Sequence, residues 1–67
     1  MSVAKVTEIT ATSTTSFEDA IQSGLARADK TLRNVEGAWV KSMKVDVNDG
    51  KISAYRVNLK VTFVLTD

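Results

Sequence analysis

Three residue types are missing from this 67-residue chain: it has no cysteine, no histidine and no proline. Without cysteine it forms no disulfide, and it also lacks the two residue types that most often bind zinc. The same absence removes thiol nucleophiles, Ser-His-Asp triads and imidazole acid–base catalysis. Because no set of acid, base and oxyanion-stabilising groups can be nominated, we expect no enzyme and no catalytic residue.

A strong excess of one charge is also missing, since the formal net charge is only +1. Nucleic-acid modules usually carry a basic surface, so we expect no nucleic-acid partner. No apolar run is long enough to cross a bilayer, and residues 1–5 do not begin a signal peptide. The sequence therefore predicts a cytoplasmic protein without a membrane partner.

The short length allows one domain, which we place at residues 1–67. A domain of this size buries a modest fraction of its surface and usually needs a disulfide, a metal or self-association for stability. With the first excluded and the second without its usual ligands, the sequence favours self-association.

The first half of the chain predicts a strand, a turn and a helix. β-branched residues over 3–10 favour a strand, and the hydroxylated residues 11–16 suit a turn. A capping box then begins a helix at Phe17, formed either by Thr15 with Glu18 or by Ser16 with Asp19. Apolar and small residues follow at helical spacing: Phe17, Ala20, Ile21, Gly24, Leu25, Ala28, Leu32 and Val35.

Gly24 lies between Ala20 and Ala28 on that helical stripe. A glycine within a helix costs about 1 kcal/mol relative to alanine. It therefore indicates either a close approach of another surface or a glycine that is simply tolerated.

The second half of the chain predicts a β-hairpin. Residues 38–47 form one strand, with apolar side chains at Val40, Met43, Val45 and Val47. The turn is Asn48-Asp49-Gly50, whose residues accept positive φ. On the returning strand one face is apolar and is predicted to be core: Tyr55, Val57, Leu59, Val61, Phe63 and Leu65.

These elements give an α+β fold built as a single β-α-β-β unit. The first and second strands run parallel to each other, so a fully antiparallel three-stranded sheet requires the third strand between them. The predicted strand order is 1-3-2. Such a sheet has two open edges, which other subunits could cover.

Four segments in this order resemble the dodecin family: Thr7–Ile9, Ser16–Gln22, Leu25–Val35 and Tyr55–Leu65. The resemblance covers almost the whole chain. It implies a sheet that partly wraps the helix and assembly into a hollow homododecamer. It also implies small-molecule binding and storage, in many members the sequestration of riboflavin or FMN stacked on a tryptophan of the second strand.

The resemblance places the ligand site at Gly37, Trp39 and Arg56. The family's stacking tryptophan falls on Gly37, whereas the only tryptophan here is Trp39, and a glutamine that often bonds the flavin is replaced by Arg56. Trp39 would reach the same face as Gly37 about 7 Å farther along the strand if no bulge intervenes. The alternatives are that Trp39 packs in the core or an interface, and that Arg56 forms an intersubunit salt bridge with Glu36 or Asp46.

Flavin, as FMN or riboflavin, is the first cofactor predicted. The alternative is a dodecin-fold shell without flavin, acting as a scaffold or a binder of divalent Ca or Mg cations, although no metal-binding residue is nominated. Carboxylates that symmetry could bring together for a cation are Glu8, Glu18, Asp46 and Asp49. Three lysines are expected to form a solvated face: Lys41, Lys44 and Lys60.

Overall fold

The computed structural model describes residues 3–65, so residues 1–2 and 66–67 of the predicted domain lie outside the described part. Its elements are β1 (Ala4–Ser13), α1 (Phe17–Thr31), β2 (Val35–Asn48) and β3 (Lys51–Val64). β3 lies between β1 and β2 and pairs antiparallel with both, which confirms the strand order 1-3-2.

Two strands are longer than the sequence pattern predicts. β1 continues three residues past Thr10 because Ala11, Thr12 and Ser13 still pair with β3. β2 begins at Val35 rather than Ala38, and α1 ends at Thr31, so Leu32 and Val35 of the predicted helical stripe lie outside the helix. In both places a segment that the sequence pattern does not predict as strand extends the sheet, because the long central strand offers it backbone partners.

Ser16 is the residue that caps the helix, as the second of the two predicted capping arrangements requires. Its backbone is extended, and its hydroxyl accepts a hydrogen bond from the Asp19 amide at 3.0 Å. The Asp19 carboxylate does not accept a hydrogen bond from the Ser16 amide, as a full capping box would require. It accepts a 2.7 Å bond from the buried Ser13 hydroxyl, whose oxygen in turn accepts from the Thr15 amide at 2.9 Å. Ser13 thus ties the end of β1 to the first turn of α1.

Gly24 marks the closest approach of the helix to the sheet. A Cβ added there would lie 2.9 Å from the Cβ of Ala11 and 3.4 Å from Cδ1 of Leu59. The first distance is shorter than real Cβ contacts, and the Ala11 methyl cannot rotate away. The helix therefore needs a residue without a side chain here, which decides between the two readings of Gly24.

The core lies between α1 and the central strand. Val57, Leu59 and Val61 are fully buried with Ala20, and the rings of Phe17 and Tyr55 meet edge to face at 5.1 Å. The predicted core face of β3 is confirmed at Val57, Leu59 and Val61, and Tyr55 and Phe63 are partly buried. It is wrong at Leu65, which follows the last strand residue and is 49% exposed.

The helix covers only part of the sheet, because it packs on β1 and β3 and scarcely touches β2. Fifteen helical residues span about 22 Å, whereas a strand of fourteen spans about 46 Å. The hairpin therefore projects past the helix and leaves an exposed apolar row on the helix side: Val40, Met43, Val47 and Ile52. Ile52 reaches this side because a register irregularity skips Ser53 and reverses the alternation of β3 there.

Candidate functional site

The candidate site lies on the open face of the sheet, which we define as the face opposite α1. Because the odd residues of β3 point to the helix, its even residues Arg56, Lys60 and Thr62 point to the open face. Thr62 pairs with Gly37 and Lys60 pairs with Trp39. All three sequence-predicted ligand residues therefore share this face.

Gly37 and Trp39 are two residues apart with an unbroken register between them. The irregularity at the start of β2 falls at Glu36, before Gly37, so it does not turn Trp39 to the other face. A Cβ added at Gly37 would have no atom within 4 Å. The place that a side chain at position 37 would occupy is therefore open, on the same face as Trp39 and two residues before it.

Trp39 is 63% exposed, so within one chain it is not a core residue. Its indole forms part of an open depression of about 500 Å³, and the lining residues are Val6, Trp39, Lys41 and Lys60. The depression contains a flat aromatic surface, an aliphatic side chain and two ammonium groups. Such a surface can bind a planar ligand by stacking and an anionic group by charge.

Lys41 crosses the central strand to reach β1. Its ammonium group lies 3.4 Å from Oε2 and 3.5 Å from Oε1 of Glu8. Glu8 is the residue of β1 that pairs with Lys60 of β3. Lys41 reaches the open face because it is the extra residue of a bulge, between the pairs Val40–Leu59 and Ser42–Asn58. This bulge also explains the three-residue spacing from Val40 to Met43.

Arg56 forms a salt bridge inside the same chain. Its Nη2 donates to Oδ2 of Asp46 at 2.9 Å. That hydrogen bond, with a smaller attraction from Lys44, holds the pKa of the Asp46 carboxyl below its ordinary value of 3.8. Of the two acids proposed for Arg56, Asp46 is its partner, and no second subunit is needed for the contact.

Arg56 is separated from the depression. It lies four residues along β3 from Lys60, which is about 13 Å in a strand. The structure therefore brings Gly37 and Trp39 together and leaves Arg56 outside the site of a single chain. The sequence did not indicate Val6 as a site residue, and it predicted Lys41 and Lys60 to lie on a solvated face. Strand parity is enough to place Lys60 on the open face, whereas the position of Lys41 depends on the bulge.

The carboxylates considered for a cation do not converge within residues 3–65, where no group of three acidic side chains could hold a metal ion. Glu8 is bonded to Lys41 and Asp46 to Arg56. Across the same described range, no helix combines the length and the apolar character needed to cross a membrane.

Comparison with known proteins gives a consistent family match. The dodecin family model matches residues 3–66. The dodecin of Thermus thermophilus is 38% identical over 65 residues, covering 97% of this chain and 94% of the relative. A dodecin from Streptomyces davaonensis superposes with a TM-score of 0.93 at 35% identity, covering 98% of this chain and 97% of the other.

A calcium-chelating relative is also similar to this chain. The calcium dodecin of Mycobacterium tuberculosis, whose structure has a calcium-binding site, superposes with a TM-score of 0.82 at 35% identity. The match covers 96% of this chain and 91% of that one.

Proposed function

This chain belongs to the dodecin family of small-molecule-binding proteins, and on that premise we propose that it is a homododecameric storage shell that binds a flavin, FMN or riboflavin, on the open face of its sheet. In this role the protein sequesters flavin in the cytoplasm and catalyses no reaction.

The exposed indole of Trp39 is the observation that carries the flavin proposal. Exposing a large aromatic ring on a sheet surface leaves apolar area in water, and a planar ligand would bury that area. Offset stacking adds about 1 kcal/mol beyond burial. The adjacent depression of about 500 Å³ is within the usual size range of small-molecule sites.

The uncovered row on the hairpin supports self-association. Val47 is 62% exposed and Ile52 is 54% exposed, although they form a cross-strand pair on the helix side. Val40 and Met43 continue the row. A second copy that covered this row would remove apolar surface from water and add to the stability of a chain of only 67 residues.

A fluorescence titration tests the flavin proposal. Because the chain has a single tryptophan, its emission reports on Trp39 alone. Adding riboflavin or FMN at micromolar concentration should quench both the flavin and Trp39, with saturation. If both signals stay unchanged through that range, the flavin proposal is wrong.

A divalent-cation binder is the second candidate, and the similarity to the calcium dodecin favours it. Residues 3–65 of one chain contain no group of three acidic side chains that could hold a metal ion, so we expect carboxylates from several copies to hold the cation. Calcium would then raise the midpoint of thermal unfolding and a chelator would reverse the rise. If calcium has this effect and neither flavin binds, the divalent-cation function replaces the flavin function.

A further inference from the structure

We infer that the free edge of β1 binds an extended acidic segment of a partner protein, which adds to the sheet as a fourth strand and places a carboxylate beside Arg27. The binding surface lies on the helix side of the sheet, away from the proposed flavin site on the open face. It combines unpaired backbone groups on β1, a groove between β1 and α1, and an arginine that lines this groove.

The direction of the backbone groups on β1 follows from one hydrogen bond at its start. The Leu65 amide donates to the Val3 carbonyl at 2.8 Å. Hydrogen-bonded pairs alternate along an antiparallel ladder, and the register from Ala4 to Ser13 has no break, so the odd-numbered residues of β1 bond to β3. The even-numbered residues therefore point their amides and carbonyls to the free edge: Val6, Glu8, Thr10 and Thr12. Within residues 3–65, no backbone group of a turn or loop bonds to them.

The opposite edge of the sheet is less suited to the addition of a strand. β2 pairs with β3 through three register irregularities, and it carries Lys41 at one of them and Lys44 nearby. Bulges and lysines on an edge hinder the pairing of a further strand. The ten residues of β1 pair without a bulge and include one lysine, Lys5. The edge of β1 is therefore the one that can accept another strand.

A groove of about 420 Å³ lies between this edge and the helix. Ile9 and Ala11 line it from β1, while Ser23, Arg27 and Thr31 line it from successive turns of α1. On a strand paired with β1, the residues opposite Ile9 and Ala11 point to the same side as these two, which is the helix side. Their side chains would enter the groove.

Arg27 makes the groove selective for an acidic segment. It is the one charged residue among those that line the groove. Both salt bridges within residues 3–65 involve other cations, so the Arg27 guanidinium has no acidic partner there. A carboxylate on the added strand would accept hydrogen bonds from this guanidinium.

A second copy of this chain fits the edge less well than a foreign segment. Two β1 strands paired about a two-fold axis would keep each side chain on its own face of the sheet. The one acidic residue of β1 is Glu8, whose side chain lies on the open face and is bonded to Lys41. Self-pairing would therefore leave Arg27 without a carboxylate, whereas an acidic segment supplies one.

Fluorescence anisotropy of a labelled peptide, Val-Thr-Glu-Thr-Val, titrated with the full chain tests the inference. Its glutamate and valines share one face, which would lie over the groove. We expect saturable binding with a dissociation constant below about 1 mM. Methylating the amide nitrogens of both threonines should remove the binding, because these amides face β1, whereas methylating that of the glutamate should not.

The charge preference is measured with a second peptide that has glutamine in place of glutamate. It should bind about three- to fivefold more weakly, which is the range for an exposed ion pair. Arg27→Gln should abolish this difference and leave the binding of the glutamine peptide unchanged. Lys30→Gln is the matched control, since it removes the same charge from the same helix outside the groove lining, and it should change the difference by less than about twofold.

Hydrogen exchange shows whether the edge is free in the assembled protein. The amides of Glu8 and Thr10 should exchange rapidly without peptide and slowly once the glutamate peptide is bound. Slow exchange without peptide would show that a second copy covers the edge, and it would overturn the inference. No saturable binding, equal binding of the peptide with methylated threonines, or an unchanged charge preference in Arg27→Gln would overturn it as well, and none of these results bears on flavin binding.

Discussion

Replacing Trp39 with alanine is expected to weaken flavin binding by more than tenfold while the assembly stays intact. The substitution removes the aromatic surface of the depression, and the lost stacking and burial correspond to about 2–3 kcal/mol, which raises the dissociation constant about 30- to 160-fold. Because Trp39 is 63% exposed and on the side away from the helix, the core should not change. Flavin fluorescence measures the binding and light scattering measures the mass.

Two further variants show whether the loss of flavin affinity is due to the loss of the aromatic ring at position 39. Trp39→Phe keeps a smaller aromatic surface and should retain part of the affinity. Adding Gly37→Trp to Trp39→Ala should restore binding, because position 37 shares the face and has free space for a side chain. If Trp39→Ala instead breaks the assembly, the indole packs between subunits and the account of the site is wrong.

Gly24→Val should be the most destabilising of the helix substitutions considered. The new Cβ would lie 2.9 Å from the Ala11 methyl and 3.4 Å from Leu59, and its two further methyl groups would add to the overlap. Overpacking of this kind costs about 1–3 kcal/mol or more, and the small change in helix propensity from glycine to valine does not offset it. Denaturant unfolding at a fixed chain concentration measures the change.

Ser23→Val is the matched control because it places the same β-branched residue at an adjacent, exposed helix position. It should change the free energy of unfolding by no more than about 0.5 kcal/mol. Ala11→Gly should recover part of the stability lost in Gly24→Val, since it removes the methyl that the new Cβ meets. Equal stability of the two valine variants would show that the helix can move away from the sheet at no cost.

The fold could be predicted from the sequence because its strongest signals are periodic. The alternating apolar face of β3, the stripe of α1 and the Asn48-Asp49-Gly50 turn each have one interpretation, and together they impose the order 1-3-2. Asp49 and Gly50 do adopt positive φ. The element ends were less predictable, because Ala11 to Ser13 extend β1 only through partners on a strand more than forty residues away.

The site could be predicted only in part, because it depends on register rather than on composition. The common face of Gly37 and Trp39 follows from strand parity, but only if the bulge at Glu36 precedes them, and the sequence does not show where that bulge lies. The Lys41–Glu8 contact depends on a second bulge and on a lysine long enough to cross β3. The family resemblance predicts Arg56 as a ligand residue, whereas its separation from the Trp39 depression is evident only from the folded structure.

Native mass spectrometry of the protein with and without FMN tests the account most directly, because it reports assembly and ligand together. The account predicts a mass of about 88 kDa, twelve times the 7.3 kDa chain, and a further increase from bound flavin in the sample with FMN. A mass near that of one chain would contradict the shell. A twelve-chain species that gains no flavin would contradict the site at Trp39.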